Sequence, residues 1–175
     1  MSDNERKAAV LFKGNPLTLV GDEVKVGQKA PDFKVLGEGL AEFSLANFKG
    51  KTLLISVVPS LDTPICDLQT KRFNEEASKL PSDVAVVTIS VDLPFAQKRW
   101  CGAAQAAKVQ CLSDHRETSF GKAYGVLIKE LRLLARSIFI ISPQGVVQYA
   151  EYVKEVTTHP DYDKALNSLK AGVKA

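Results

Sequence analysis

At 175 residues, with 45% hydrophobic and 25% charged side chains, the chain has ordinary globular composition and can bury a sizeable core as one domain spanning 1–175. Its net charge of +3 is spread out, and Lys and Arg form no run longer than two, so nothing calls for nucleic acid or an anionic membrane as a partner. No apolar stretch approaches the roughly 18 to 20 residues that a bilayer span needs.

In chain order, Ala8 to Val20 holds two apolar runs around Gly14-Asn15-Pro16, a hairpin signal. Gly27 to Phe33 is punctuated by Gly and Pro and reads as irregular chain, and Leu40 to Phe48 carries a short strand and a turn of helix. Lys51 to Val58, KTLLISVV, reads as a strand buried on both faces, which Pro59 stops. A helix follows to Leu80, with Ile65, Leu68, Phe73, Ala77 and Leu80 on one apolar face. Val84 to Val91 is a second buried strand, and the two strands with their helix make a right-handed βαβ unit. Phe95 to Ala107 begins as a helix that Gly102 weakens; Gln110 to Ser113 is a short strand and Ser119 to Tyr124 a brief helix. Ser137 to Ser142 and Val146 to Tyr152 flank Pro143-Gln144-Gly145 as a second hairpin, and Tyr162 to Leu169 closes the chain as a helix on one sheet face. This α/β order fits a central mixed β-sheet flanked by helices, with an N-terminal β-hairpin, similar to the thioredoxin-like fold.

The chemistry concentrates at the start of the first long helix. Thr63 is a good N-cap and Pro64 suits the first helical position, which puts Cys66 in the first turn. Unpaired N–H groups and the positive end of the helix dipole favour a thiolate there, so Cys66 reads as a nucleophile rather than a buried structural cysteine. Three cysteines do not make a disulfide scaffold. The N-terminus MSDNERKAAVLF has no secretory signal pattern, so a cytoplasmic location is expected, where a disulfide is catalytic or sensory.

Pro59, Thr63 and Cys66 stand as P-x-x-x-T-x-x-C, and this resembles the active-site signature of the peroxiredoxins. VDLPFAQKRWCGA, from Val91 to Ala103, resembles the segment bearing the resolving cysteine in the bacterial thiol peroxidases, the atypical two-cysteine branch of that family. Leu134 to Ile140, LARSIFI, resembles the family's arginine-bearing strand. With the N-terminal hairpin, the likeness covers essentially the whole chain.

The resemblance implies a peroxidase acting on hydrogen peroxide and alkyl hydroperoxides, with no cofactor and no metal. Cys66 is then the peroxidatic cysteine, oxidised to a sulfenic acid. Thr63, one helical turn before it, orients the peroxide or serves only as the cap. Arg136, preferred to Arg132 for its family position, lowers the thiol pKa and binds the peroxide oxygens or is a surface arginine. Pro59 shields the sulfur or merely ends the strand. Cys101, 35 positions after Cys66, resolves the sulfenic acid as an intrachain disulfide, or else is a small core residue. If the two start far apart, a helix must partly unwind, and Gly102 makes that plausible at Cys101. Thioredoxin is the implied reductant and a homodimer the implied assembly; Trp100, the only tryptophan, belongs to the docking surface or to the core. Cys111 lies outside the two-cysteine pattern and receives no role.

Other readings have less support. A dithiol oxidoreductase would carry C-x-x-C, which is absent. A Cys-His hydrolase needs a base, and neither His115 nor His159 lies in a motif. Cys111 and His115 have only a weak C-x-x-x-H relation for a metal. A redox sensor would use the same cysteines without turning over.

Overall fold

The computed structural model describes residues 4–173. Strands β1 (Glu5–Phe12) and β2 (Asn15–Val20) pair antiparallel. Their turn is Lys13-Gly14, one residue earlier than the Gly-Asn-Pro signal suggested, and both residues have positive φ (49° and 80°). Two positive-φ residues are what a two-residue hairpin loop requires, so Asn15 and Pro16 are free to enter β2.

The main sheet is built from β3 (Val35–Leu36), β4 (Glu42–Phe43), β5 (Thr52–Val57), β6 (Val84–Ser90), β7 (Gln110–Ser113), β9 (Ser137–Ile141) and β10 (Val147–Tyr152), in the order β10-β9-β5-β6-β7-β3-β4. β5, β6 and β7 run parallel, and the strands outside them pair antiparallel. The two-residue strand β8 (Leu127–Ile128) joins β2 in a small second sheet. The helices are α1 (Pro64–Ala77), α2 (Pro94–Ala103), α3 (Ser119–Ala123) and α4 (Tyr162–Val173). β3 and β8 were not foreseen, because two residues are too few to show a period.

Every residue of β5 is buried, and alternate side chains serve opposite layers. Leu53, Ile55 and Val57 join Phe120 of α3, Tyr124 and the hairpin residues Val10 and Leu19. Leu54, with Ile138 and Ile140, meets Phe73 of α1 and Ala165, Leu166 and Leu169 of α4. This is the thioredoxin-like arrangement the element order implies. The hairpin is locked on by Gly21, where φ is +97° and a Cβ would collide with the Lys122 carbonyl. No helix among the described residues is long and apolar enough to cross a membrane.

The expected apolar face of α1 holds at Phe73, Ala77 and Leu80, which pack with Ala165, Leu166 and Leu169, and is corrected in the first turns of the helix. Leu68 is 53% exposed and Leu80 lies beyond the helix end, while the buried positions are Cys66, Gln69, Thr70 and Phe73. They follow the helical repeat, but three of the four carry a thiol, an amide or a hydroxyl, so a hydrophobic pattern could not find them.

Candidate active site

β5 delivers the chain to Pro59, which is buried, and the loop Ser60–Thr63 then turns into α1. A loop at this depth must satisfy its polar groups. Asp92, just past the end of β6, does so: Ser60 Oγ donates to Asp92 Oδ1 at 2.7 Å and the Leu61 N–H to Oδ2 at 2.8 Å. Ser90 Oγ donates to the same Oδ2 at 2.7 Å, which orients the carboxylate. Asp92 is thus the brace that fixes the entry to α1, and no motif in the sequence marked it.

Thr63 has the extended backbone of an N-cap, Pro64 is the first helical residue, and the Asp67 N–H donates to the Thr63 carbonyl at 2.9 Å. Cys66 is therefore the third helical residue, among the four whose N–H groups have no acceptor within the helix. The Thr63 side chain is exposed and does not cap; its hydroxyl donates to the Ser60 carbonyl at 3.1 Å. None of its hydrogen bonds among the described residues reaches the Cys66 sulfur.

The Cys66 side chain is 0% exposed. It faces Arg136, which precedes β9 and is itself buried. Arg136 donates from three nitrogens: Nη2 to Cys66 Sγ at 3.3 Å, Nη1 to Gln69 Oε1 at 2.8 Å and Nε to the Val156 carbonyl at 3.0 Å. Gln69 in turn donates from Nε2 to Ser56 Oγ at 2.8 Å, tying the guanidinium to β5. Arg132, the competing arginine, is exposed. Among the described residues no carboxylate lies within salt-bridge distance of Arg136. Arg136 is thus a buried cation that meets the Cys66 sulfur and two neutral oxygens rather than a carboxylate. Gln69 was missed by the sequence reading, although its place three residues after Cys66 puts it on the same helix face.

Cys101 and Cys111 face each other rather than Arg136. Cys101 sits in the last turn of α2 and Cys111 near the start of β7, both half-buried, with their sulfurs 3.0 Å apart in a shared hydrogen bond. Donation from Cys111 pulls the Cys101 thiol below its ordinary range, while that bond and burial push Cys111 up. Both line a cleft of about 560 Å³ with Pro94, Gln97, Lys98 and Gln105. No hydrogen bond joins Cys66 to Cys101 among the described residues.

Trp100 is half-buried; its Nε1–H donates to Asp67 Oδ1 on α1 at 3.0 Å, and with Cys111 it packs against Val58, Leu61 and Cys66. It is thus a tie between α1 and α2. His115 shares a hydrogen bond with Ser113 and His159 with Tyr162, so neither is paired with a cysteine.

Residues 25–166 match the family model Redoxin. The chain is 63% identical over 167 residues to a thiol peroxidase of Bacillus subtilis strain 168, covering 95% of this chain and 99% of that protein. It is 59% identical over 166 residues to a thiol peroxidase of Halalkalibacterium halodurans, again covering 95% and 99%. Among solved structures it resembles a peroxiredoxin-like protein from Aquifex aeolicus, with TM-score 0.87, 44% identity, and 94% and 98% of the two chains covered.

Proposed function

The chain belongs to the redoxin family, among its thiol peroxidases, and on that premise we propose how its residues share the reaction. Cys66, as thiolate, attacks one oxygen of hydrogen peroxide or an alkyl hydroperoxide. The O–O bond breaks, water or an alcohol leaves, and Cys66 becomes a sulfenic acid. Arg136 holds the anionic sulfur and then follows the charge onto the departing oxygen, which is where a fixed donor contributes most. Gln69 and Ser56 are positioning residues for that guanidinium. Thr63, whose hydroxyl oxygen accepts no hydrogen bond among the described residues, takes the incoming peroxide, and Pro59 keeps water off the sulfur. The observation that carries this reading is the buried, carboxylate-free Arg136 at 3.3 Å from a fully buried cysteine in the first turn of a helix.

Cys101 then attacks the sulfenic sulfur, water leaves, and a Cys66–Cys101 disulfide forms. Because Cys66 is enclosed by α1 and Arg136, the ends of both helices must loosen first. α2 suits this: Gln97 anchors its first half by donating from Nε2 to Ser90 Oγ and the Leu112 carbonyl at 3.1 and 2.9 Å, while Cys101 and Gly102 lie past that anchor. Thioredoxin as reductant and a homodimer complete the proposal and rest on the resemblance; a single domain, from length and composition, and a cytoplasmic location are proposed with them.

The test is turnover. With thioredoxin, its reductase and NADPH, the protein should consume hydrogen peroxide continuously, and Cys66→Ser should not. A single oxidation with no turnover would instead make the chain a redox sensor that uses the same cysteines.

A further inference from the structure

The third cysteine has no place in that cycle, yet it is the one whose sulfur already touches Cys101. Cys111 is held in β7, paired in register with Thr88 of β6, so it is a fixed point of the sheet. Its sulfur is 3.0 Å from Cys101 Sγ, about 1 Å beyond the ~2.05 Å of a disulfide bond. The folded positions of α1 and α2 thus place Cys101 against Cys111 and leave Cys66 against Arg136. Forming the Cys66–Cys101 disulfide proposed above draws Cys101 away from Cys111; a Cys101–Cys111 disulfide leaves it where the fold puts it. Of the two bonds, the fold favours the second.

We propose that Cys111 is a third redox residue, which takes the disulfide over from Cys66 by intramolecular thiol–disulfide exchange. The inference rests on the resolving role given above to Cys101. With Cys101 in the Cys66–Cys101 disulfide, the hydrogen bond that most pushes the Cys111 thiol up is gone, and the Cys111 sulfur attacks Cys101 Sγ. The S–S bond to Cys66 breaks, the Cys101–Cys111 bond forms, Cys66 departs as a thiolate, and the Cys111 proton passes to water in the cleft. Nothing is oxidised or reduced overall, because the two electrons taken by peroxide stay missing from the chain. Cys66 is the favoured leaving group, since Arg136 Nη2 stands ready to receive its charge. The relay has two effects. It returns Cys66 to the pocket, free for a second peroxide before any reductant arrives. It also moves the disulfide from a sulfur that is 0% exposed to a pair that lines an open cleft, where a reducing thiol can reach it.

Trypsin separates the three cysteines onto peptides 52–71, 100–108 and 109–116, so each pairing has its own mass. The reduced protein is given one equivalent of hydrogen peroxide, acid-quenched at increasing times, alkylated and mapped, beside Cys111→Ser and Cys66→Ser. In the wild type the 52–71/100–108 pair should appear first and give way to 100–108/109–116, while Cys66 becomes alkylatable again. Cys111→Ser should stop at the first pair, and Cys66→Ser should form neither. Persistence of the first pair in the wild type, with Cys111 alkylated throughout, would overturn the relay and leave Cys101 as the resolving residue. Formation of the Cys101–Cys111 bond in Cys66→Ser at the wild-type rate would also overturn it, since the pair would then be oxidised directly. If Cys111→Ser forms no Cys66–Cys101 bond, the resolving role itself fails, and the relay falls with it.

Discussion

The surroundings of Cys66 and those of Cys101 are built to opposite ends. Around Cys66 the side chains are tied down: Arg136 uses three nitrogens, Gln69 bridges it to Ser56, and Asp92 secures the loop ahead of the helix. Around Cys101 the chain is half-buried on an open cleft, and Gln105, four residues on, adopts a positive φ of 53°. In the proposed cycle, charge must be met at a fixed point during attack on a peroxide, and a sulfur must travel during resolution. Rigidity sits where the first happens and slack where the second does.

The contrast can be attacked from its stiffest point. Arg136→Lys keeps a cation but cannot reach Cys66, Gln69 and Val156 together. Removal of one such fixed donor costs about 10²–10³ in rate, so kcat/KM for hydrogen peroxide should fall by that order in stopped-flow assays. An undiminished rate would show that the guanidinium network does not serve the chemistry.

The stability against which both regions are measured itself depends on pH. Asp114 is buried and accepts from the N–H groups of Phe120 and Gly121 at 3.0 and 2.7 Å, but desolvation prevails and lifts its carboxyl to about 6. The folded state therefore holds this proton more tightly than the unfolded chain. Its contribution is complete below about pH 4 and is lost as pH rises through about 6, a change of roughly 3 kcal/mol. Urea midpoints should decline across that window, and Asp114→Asn should flatten the decline.

Gln69→Ala strips a partner from both Arg136 and Ser56 in a buried site. A loss of about 2 kcal/mol in urea unfolding is expected, with a fall in peroxide rate smaller than that of Arg136→Lys. The smallest effect tests the slack region. Trp100→Phe removes the hydrogen bond that ties α2 to Asp67 of α1, worth about 1 kcal/mol. Stability should drop slightly while disulfide formation, followed by quenched alkylation, speeds up several-fold. Slower formation would mean that Trp100 guides Cys101 rather than restrains it.

Much of the fold could be read from sequence because its parts are punctuated. The fully buried, mostly apolar β5 stops just short of Pro59, α1 opens with Thr63-Pro64, and Gln110–Ser113 was placed to the residue. The site was half legible. Thr63-Pro64 puts Cys66 in a first turn by local rules alone, whereas Arg136 had to be preferred over Arg132 by likeness to a family, since no local signal separates a buried arginine from an exposed one four residues away. Gln69 and Asp92 escaped because their work is done across the fold: one polar side chain on a helix face assumed to be apolar, and one carboxylate in a turn. The contact between Cys101 and Cys111 depends on how the end of α2 lies over β7, which no spacing encodes.

Arg136 stands 70 positions after the cysteine it faces. A chain emerging from the ribosome therefore exposes Cys66 well before its arginine exists, and the pair meets only when β9 docks beside β5. The nucleophile is thus unarmed throughout most of synthesis. On the reading proposed above, completion of the sheet is what switches it on, and a nascent or truncated chain carries the cysteine without its arginine.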